Sequence, residues 1–171
     1  MGKGLEALAQ YDQAVKLEPH YAEAFNNRGI LLRSLKKLQE AVESYSEATK
    51  INPGFAEAFF NRGNVLVELR QLIPAIQSYD AAIEANPNHA AALNNRGVIL
   101  RQLKQSELAL KNFDRAIAIK ENYLDAYSNR GYALLDLKRN SEALKAFEKV
   151  LSIKPDFPLA IEGKALATQA A

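Results

Sequence analysis

Asn95-Arg96-Gly97 is one of four copies of a tripeptide. The others are Asn27-Arg28-Gly29, Asn61-Arg62-Gly63 and Asn129-Arg130-Gly131, and the four are equally spaced. A tripeptide returning at a fixed interval of about 34 residues marks a helical repeat array. Working outward from the tripeptide, small residues stand at Ala24, Ala58, Ala92 and Ala126, and large ones at Phe25, Phe59, Leu93 and Tyr127. Leu32, Leu66, Leu100 and Leu134 follow the glycines. The spacing from large residue to Gly to Leu is four, then three, which is one face of an α-helix. Glycine inside a helix costs about 1 kcal/mol against alanine. Four glycines in one column therefore predict a close helix–helix approach that leaves no room for a Cβ.

The second half of each period carries Ala41, Ala75, Ala109 and Ala143, then Tyr45, Tyr79, Phe113 and Phe147, then Ala48, Ala82, Ala116 and Val150. Spacings of four and three again make one helical face. Short polar links separate the two helices, at Lys36-Lys37, Arg70-Gln71, Lys104-Gln105 and Lys138-Arg139-Asn140. Asn52-Pro53-Gly54, Asn86-Pro87-Asn88 and Lys154-Pro155-Asp156 stop the second helix. Lys120-Glu121-Asn122 lacks the proline, and the intact columns on either side predict the same turn there.

This order of small, large, Gly and Leu, then Ala, aromatic, Ala and Pro resembles the tetratricopeptide repeat over essentially the whole chain. The resemblance implies an all-α, right-handed superhelical solenoid of antiparallel helix pairs, a single array of about ten helices. Residues 4–21 form an orphan second helix, followed by repeats at 22–55, 56–89, 90–123 and 124–157, and by a first helix at 158–171 that could cap the array. That last helix offers Leu159, Ile161 and Leu166 as its inner face. Two features depart from the family pattern. Arg replaces the usual Leu before the glycine. Lys36, Arg70, Lys104 and Lys138 stand where Gly often joins the helices, a change expected to tighten the turn or shift it by a residue.

Composition excludes several classes of function. The 171 residues carry a formal charge of +2 with 25% charged side chains, an ordinary polar surface. A pI of 8.7 is too low to argue for nucleic acid. There is no cysteine, hence no disulfide framework and no thiol chemistry. No apolar run is long enough to insert into a membrane, and the first residues lack the long apolar region of a signal peptide. Together these suggest a cytoplasmic protein. His20 and His89 fall in separate inter-repeat turns, too far apart for a metal site or a general base. The reading is no enzyme, no cofactor and no metal.

The remaining candidate is a binding surface, and the expected partner is a protein or peptide. Each asparagine of the tripeptide sits two residues past the large residue, about 200° around the helix. Asn27, Asn61, Asn95 and Asn129 then form a ladder on the first helices. A carboxamide both donates and accepts, so it can pair with a peptide backbone whatever its side chains. The column is similar to an asparagine ladder in the repeat region of O-linked N-acetylglucosamine transferases, where the ladder grips the backbone of protein substrates. That resemblance implies peptide binding along the concave face, and it raises a further reading, a substrate-recognition fragment of a larger glycosyltransferase. Asn26, Phe60, Asn94, Asn64, Tyr132, Arg33, Arg101 and Glu68 surround the ladder and are expected to set selectivity. A family subtype that clamps chaperone C-terminal carboxylates would want Lys or Arg where this chain has Asn26, Ala91 and Asn95.

The arginine column (Arg28, Arg62, Arg96 and Arg130) reads as structural. Asp12, Asp80 and Asp114 precede Arg28, Arg96 and Arg130 by one constant spacing, which predicts inter-repeat ties. Ser46 occupies the acidic column before Arg62 and predicts a different partner for it. The orphan terminal helices also carry apolar faces (Ala7, Tyr11 and Ala14; Leu159, Ile161 and Leu166). These motivate a second reading, a head-to-tail homo-oligomer in which neighbouring molecules complete a repeat.

Overall fold

The computed structural model describes residues 2–169, with side chains from Gly4 onward. It divides into two compact units, Met1–Pro87 and Asn88–Ala171. All regular structure among the described residues is helical. The first unit holds α1 (Gly2–Leu17), α2 (Ala22–Ser34), α3 (Leu38–Ile51), α4 (Ala56–Glu68) and α5 (Leu72–Ala85). The second holds α6 (Ala90–Gln102), α7 (Ser106–Ile119), α8 (Leu124–Asp136), α9 (Asn140–Ile153) and α10 (Pro158–Gln169). Within each unit every helix packs on its neighbours in sequence, and first helices also meet one period apart (α2 with α4, α6 with α8).

The glycine column explains the packing. A Cβ on Gly29 or Gly63 would lie 2.6 Å from the ring of Tyr45 or Tyr79, and one on Gly97 would lie 2.6 Å from Phe113. Gly131 faces Phe147 in the same way. The aromatic side chain of each second helix therefore rests directly on the backbone of its first helix. All four rings are fully buried. In the first unit Tyr45 packs with Leu8, Leu32, Ala41 and Val65. In the second, Phe147 packs with Leu110, Leu134, Ala143, Val150, Ala160 and Ala167.

Two expectations are corrected. The helix-joining residues neither tighten nor shift the turn. Lys36, Arg70, Lys104 and Lys138 adopt left-handed backbone, with φ of 61°, 62°, 62° and 60°. The bonding is that of a Schellman C-cap: Lys104 N donates to Arg101 O at 2.9 Å and Gln105 N to Leu100 O at 2.9 Å, and the other three turns repeat the pattern. A side chain in this conformation costs about 1–2 kcal/mol, and part of that is offset because a glycine is freer in the unfolded chain. Lys104→Gly is expected to stabilise by about 0.5–1 kcal/mol, read as a raised urea midpoint. An unchanged or lowered midpoint would contradict this strain.

The second correction concerns α10. Leu159, Ile161 and Leu166 are not its inner face; they are 47%, 51% and 44% exposed. The buried face is Ala160, Gly163 and Ala167. Gly163 stands one period after Asn129, and its missing Cβ lets α10 close onto the ring of Phe147, which Gly131 also meets. The proline-free turn keeps its form: Tyr123 N donates to Lys120 O at 3.1 Å, as Phe55 N does to Asn52 O at 3.1 Å.

Candidate functional site

The tripeptide's three columns separate in space. The glycines are buried under rings. The arginines lie along the seam between a first helix and the second helices beside it. Arg28 Nε donates to Asp12 Oδ1 at 2.6 Å, and Arg130 Nε to Asp114 Oδ1 at 2.6 Å. Lys164 continues the column on α10 and pairs with Glu148 at 3.1 Å. Arg96 Nε donates to Asn112 Oδ1 at 2.8 Å. Arg62 Nε donates to Ser78 Oγ at 3.1 Å, and its Nη1 to Thr49 Oγ1 at 3.4 Å. The Arg62 guanidinium also lies 5.2 Å from the centre of the Phe59 ring. Its burial lowers the arginine's pKa, because charge is disfavoured away from water.

The partners Ser78 and Asn112 belong to a column that sequence reading missed. Ser44, Ser78 and Asn112 are buried polar residues on the second helices, one period apart. The signal was present: a polar residue follows Arg28, Arg62 and Arg96 at one constant spacing. Ser44 turns its hydroxyl to Phe25 O instead, at 2.8 Å, where Arg28 already has its aspartate. Arg62 lacks that aspartate because Ser46 stands in the column. Ser46→Asp is therefore expected to stabilise by about 0.5–1 kcal/mol, toward the upper end for an exposed pair because the arginine is half-buried. Thermal unfolding checks this, and an unchanged midpoint would contradict the pairing.

The asparagines lie on the first-helix face of each unit. Asn27 is exposed, and Asn61, Asn95 and Asn129 are half-buried. They do not stand as isolated carboxamides. In the first unit Asn61 Nδ2 donates to Asn26 Oδ1 at 3.1 Å, and Asn26 Nδ2 to Asn27 Oδ1 at 3.4 Å. In the second, Asn129 Nδ2 donates to Asn94 Oδ1 at 2.9 Å, and Asn94 Nδ2 to Asn95 Oδ1 at 3.2 Å. Asn26 and Asn94, placed in the sequence among the selectivity residues, are the buried centres of these relays.

The charged residues around the ladder neutralise one another. Arg33 Nε donates to Glu68 Oε1 at 2.6 Å, and Arg101 Nε to Asp136 Oδ2 at 2.8 Å. Asp136 also accepts from Ser106 Oγ at 3.2 Å. Both pairs and both relays join residues 35 apart, which is one period plus one. Sequence reading grouped Arg33, Arg101 and Glu68 around the ladder but did not reveal this register. Asn64 accepts from the Tyr79 hydroxyl at 2.8 Å, and the Phe60 ring lies 6.0 Å from that of Tyr79. Tyr132 donates to Leu159 O at 2.9 Å and carries the Arg101 guanidinium 5.1 Å from its ring centre. Arg101, Tyr132, Leu135, Asp136, Lys138, Asn140 and Leu166 line an open depression of about 570 Å³ in the second unit.

Of the two histidines, His89 caps α6, accepting from Ala92 N at 3.3 Å. Among the described residues no cluster of three or more His, Cys, Asp or Glu could hold a metal ion. No described helix is long and apolar enough to cross a membrane.

Paired helices on a strict period, an aromatic side chain seated on each glycine and a polar first-helix face define a helical-repeat protein. The chain belongs to the tetratricopeptide repeat family, whose models match at residues 10–43, 60–123 and 124–157, with a TPR repeat match at 31–69. No curated protein sequence matches it. Among solved structures it is similar to MamA, with 24% identity and a TM-score of 0.83 over 96% of this chain and 92% of that one. It is similar to YrrB, described as "a TPR protein with an unusual peptide-binding site", with 27% identity and a TM-score of 0.83 over 96% and 84%. It is also similar to the first TPR of Spaghetti (RPAP3) bound to the HSP90 peptide SRMEEVD, with 29% identity and a TM-score of 0.66 over 67% and 91%.

Proposed function

We propose that this protein is a non-catalytic, cytoplasmic interaction module that binds an extended peptide on its first-helix face, through Asn27, Asn61, Asn95 and Asn129. The observation that carries this is the orientation of the carboxamides. Among the described residues, the Asn27 amide nitrogen and the Asn61 carbonyl oxygen have no partner, while their other atoms are held by Asn26. A donor and an acceptor are thus left for a ligand with their rotamers already fixed, which lowers the entropy cost of gripping a backbone C=O and N–H. YrrB, described with a peptide-binding site, and the RPAP3 domain, described bound to a peptide, support the same class of partner. The depression beside Tyr132 would take one apolar side chain of the ligand.

A display screen of random peptides tests the reading, comparing wild type with Asn61→Ala plus Asn95→Ala. The double variant is expected to bind the selected peptides at least about tenfold more weakly, with helical content unchanged by circular dichroism. Equal binding would remove the ladder from the account.

A second reading is head-to-tail self-assembly, favoured by the exposed Leu159, Ile161 and Leu166 of α10, since exposed large apolar side chains can serve as contact surfaces. Against a regular continuation, Ala165 stands in the glycine column, where a Cβ meets the aromatic ring in every other repeat. Light scattering over a concentration series separates the two: a constant monomer mass would exclude self-assembly.

A further inference from the structure

We propose that the depression beside Tyr132 in the second unit is a specificity subsite for an extended peptide in which a large apolar residue stands next to an Asp or Glu. This rests on the peptide-binding reading above and names what the ligand must carry. The walls are Tyr132 and Leu135 of α8 and Leu166 of α10. Leu166 is 44% exposed, so its apolar surface is open to an occupant. Tyr132 is held from three sides before any ligand arrives. Its hydroxyl donates to Leu159 O at 2.9 Å, the Arg101 guanidinium lies 5.1 Å from its ring centre, and the Phe147 ring meets it edge-on at 5.2 Å. A wall with a fixed rotamer loses little entropy when a side chain packs on it. The tyrosine is particular to the fourth repeat: the same column carries Ile30, Asn64 and Val98 in the others.

The rim sets the charge of the occupant. Arg101, Asp136 and Lys138 are its charged residues. Arg101 Nε donates to Asp136 Oδ2 at 2.8 Å, and Asp136 also accepts from Ser106 Oγ, so these two charges cancel. Lys138 is exposed and makes no ion pair among the described residues. The contrast with Lys36, in the same column, gives the reason. Lys36 lies 3.7 Å from Glu68; at the same interval after Lys138 the sequence has Ala170, which carries no carboxylate. The left-handed backbone of Lys138, at φ 60°, and the Schellman bonds of its turn fix the point from which this side chain starts. An apolar floor with one unmatched positive charge at its lip is complementary to an apolar side chain with a carboxylate beside it. Successive Cα atoms are about 3.8 Å apart, so one residue can fill the depression while its neighbour reaches the ammonium at the lip.

The test selects binders for the full chain from a displayed library of random peptides. The most enriched one is then titrated by fluorescence anisotropy, as a synthetic peptide with an amidated C-terminus and as the free acid. The selected sequences are expected to share a Leu, Ile or Phe next to an Asp or Glu. Replacing that apolar residue by Ala is expected to weaken binding at least about tenfold. Replacing the acid by its amide should weaken it about threefold at low salt, and by less at high salt. Leu166→Gln weakens every apolar-acidic peptide. Lys138→Glu abolishes the preference for the acid, and changing the peptide's acid to Lys restores binding to this variant. Both residues are exposed, so helical content is expected to be unchanged. Selected peptides without the pair, or an affinity indifferent to Lys138→Glu and Leu166→Gln, would overturn the subsite. If those peptides still weaken on Asn61→Ala plus Asn95→Ala, the peptide-binding reading stands; indifference to all four substitutions would overturn both. Binding that requires the free C-terminal carboxylate would also overturn the subsite. So would a second copy of the chain occupying it, seen by light scattering as a dimer mass that Leu166→Gln returns to monomer.

Discussion

Phe147→Ala is expected to destabilise the protein by about 4 kcal/mol, the largest effect of any single substitution considered. The ring is fully buried and touches glycine backbone from two helices, Gly131 on α8 and Gly163 on α10. Other second-helix rings rest on one helical glycine; this one is clasped by two. Its removal leaves a cavity that neither helix can fill, because glycines have no side chain to move into it. The loss includes the transfer free energy of the ring and the unfilled volume. Urea unfolding followed by circular dichroism measures it. A loss below about 1 kcal/mol would mean that α10 is not held by this contact.

Gly97→Ala ranks second, and here two effects oppose each other. Alanine favours the helix by about 1 kcal/mol over glycine. The new Cβ, however, would lie 2.6 Å from Phe113, far inside van der Waals contact, and that ring is buried with no space to retreat. Overpacking of this kind costs about 1–3 kcal/mol, and here the contact is with a rigid ring backed by a packed core. The net expectation is a loss of about 2 kcal/mol. The mechanism has its own check: in a Phe113→Leu background the same Gly97→Ala change should cost much less, since the slimmer side chain makes room. Gly54→Ala is a control, because its Cβ would meet only Asn52 Oδ1 at 3.4 Å. Equal costs for Gly97→Ala in both backgrounds would separate the glycine column from the aromatic one.

These two columns are also where the sequence was most legible. A glycine inside a helical pattern at a fixed period has few explanations, and the aromatic column of the following helix supplies the ring that requires it. Helix order and the persistence of the proline-free turn followed from the same periodicity. The left-handed lysines and arginine were not legible. Backbone conformation at a helix C-cap depends on whether the Schellman bonds offset a strained φ, and a Lys in sequence does not report that. The face of α10 was misread for a related reason. Large apolar residues were taken as the buried set, whereas two helices in close contact bury their small ones.

The binding face was legible by column but not by partner. Sequence placed the asparagines on one side of the first helices. It did not show that Asn26 and Asn94 are spent in orienting their neighbours, or that Arg33 and Arg101 are neutralised by Glu68 and Asp136. Contacts between stacked first helices run one period plus one, a register that only the packing angle of the helices sets. Once that offset is known, the pairs can be read directly from the chain.

The most direct measurement is a titration of ¹⁵N-labelled protein with a display-selected peptide, watching the side-chain carboxamide signals in a proton–nitrogen correlation spectrum. If the ladder grips the peptide, the signals of Asn27, Asn61, Asn95 and Asn129 move with the titration, while Asn52 and Asn122 in the inter-repeat turns stay in place. Saturating binding that leaves all four ladder signals unmoved would contradict it.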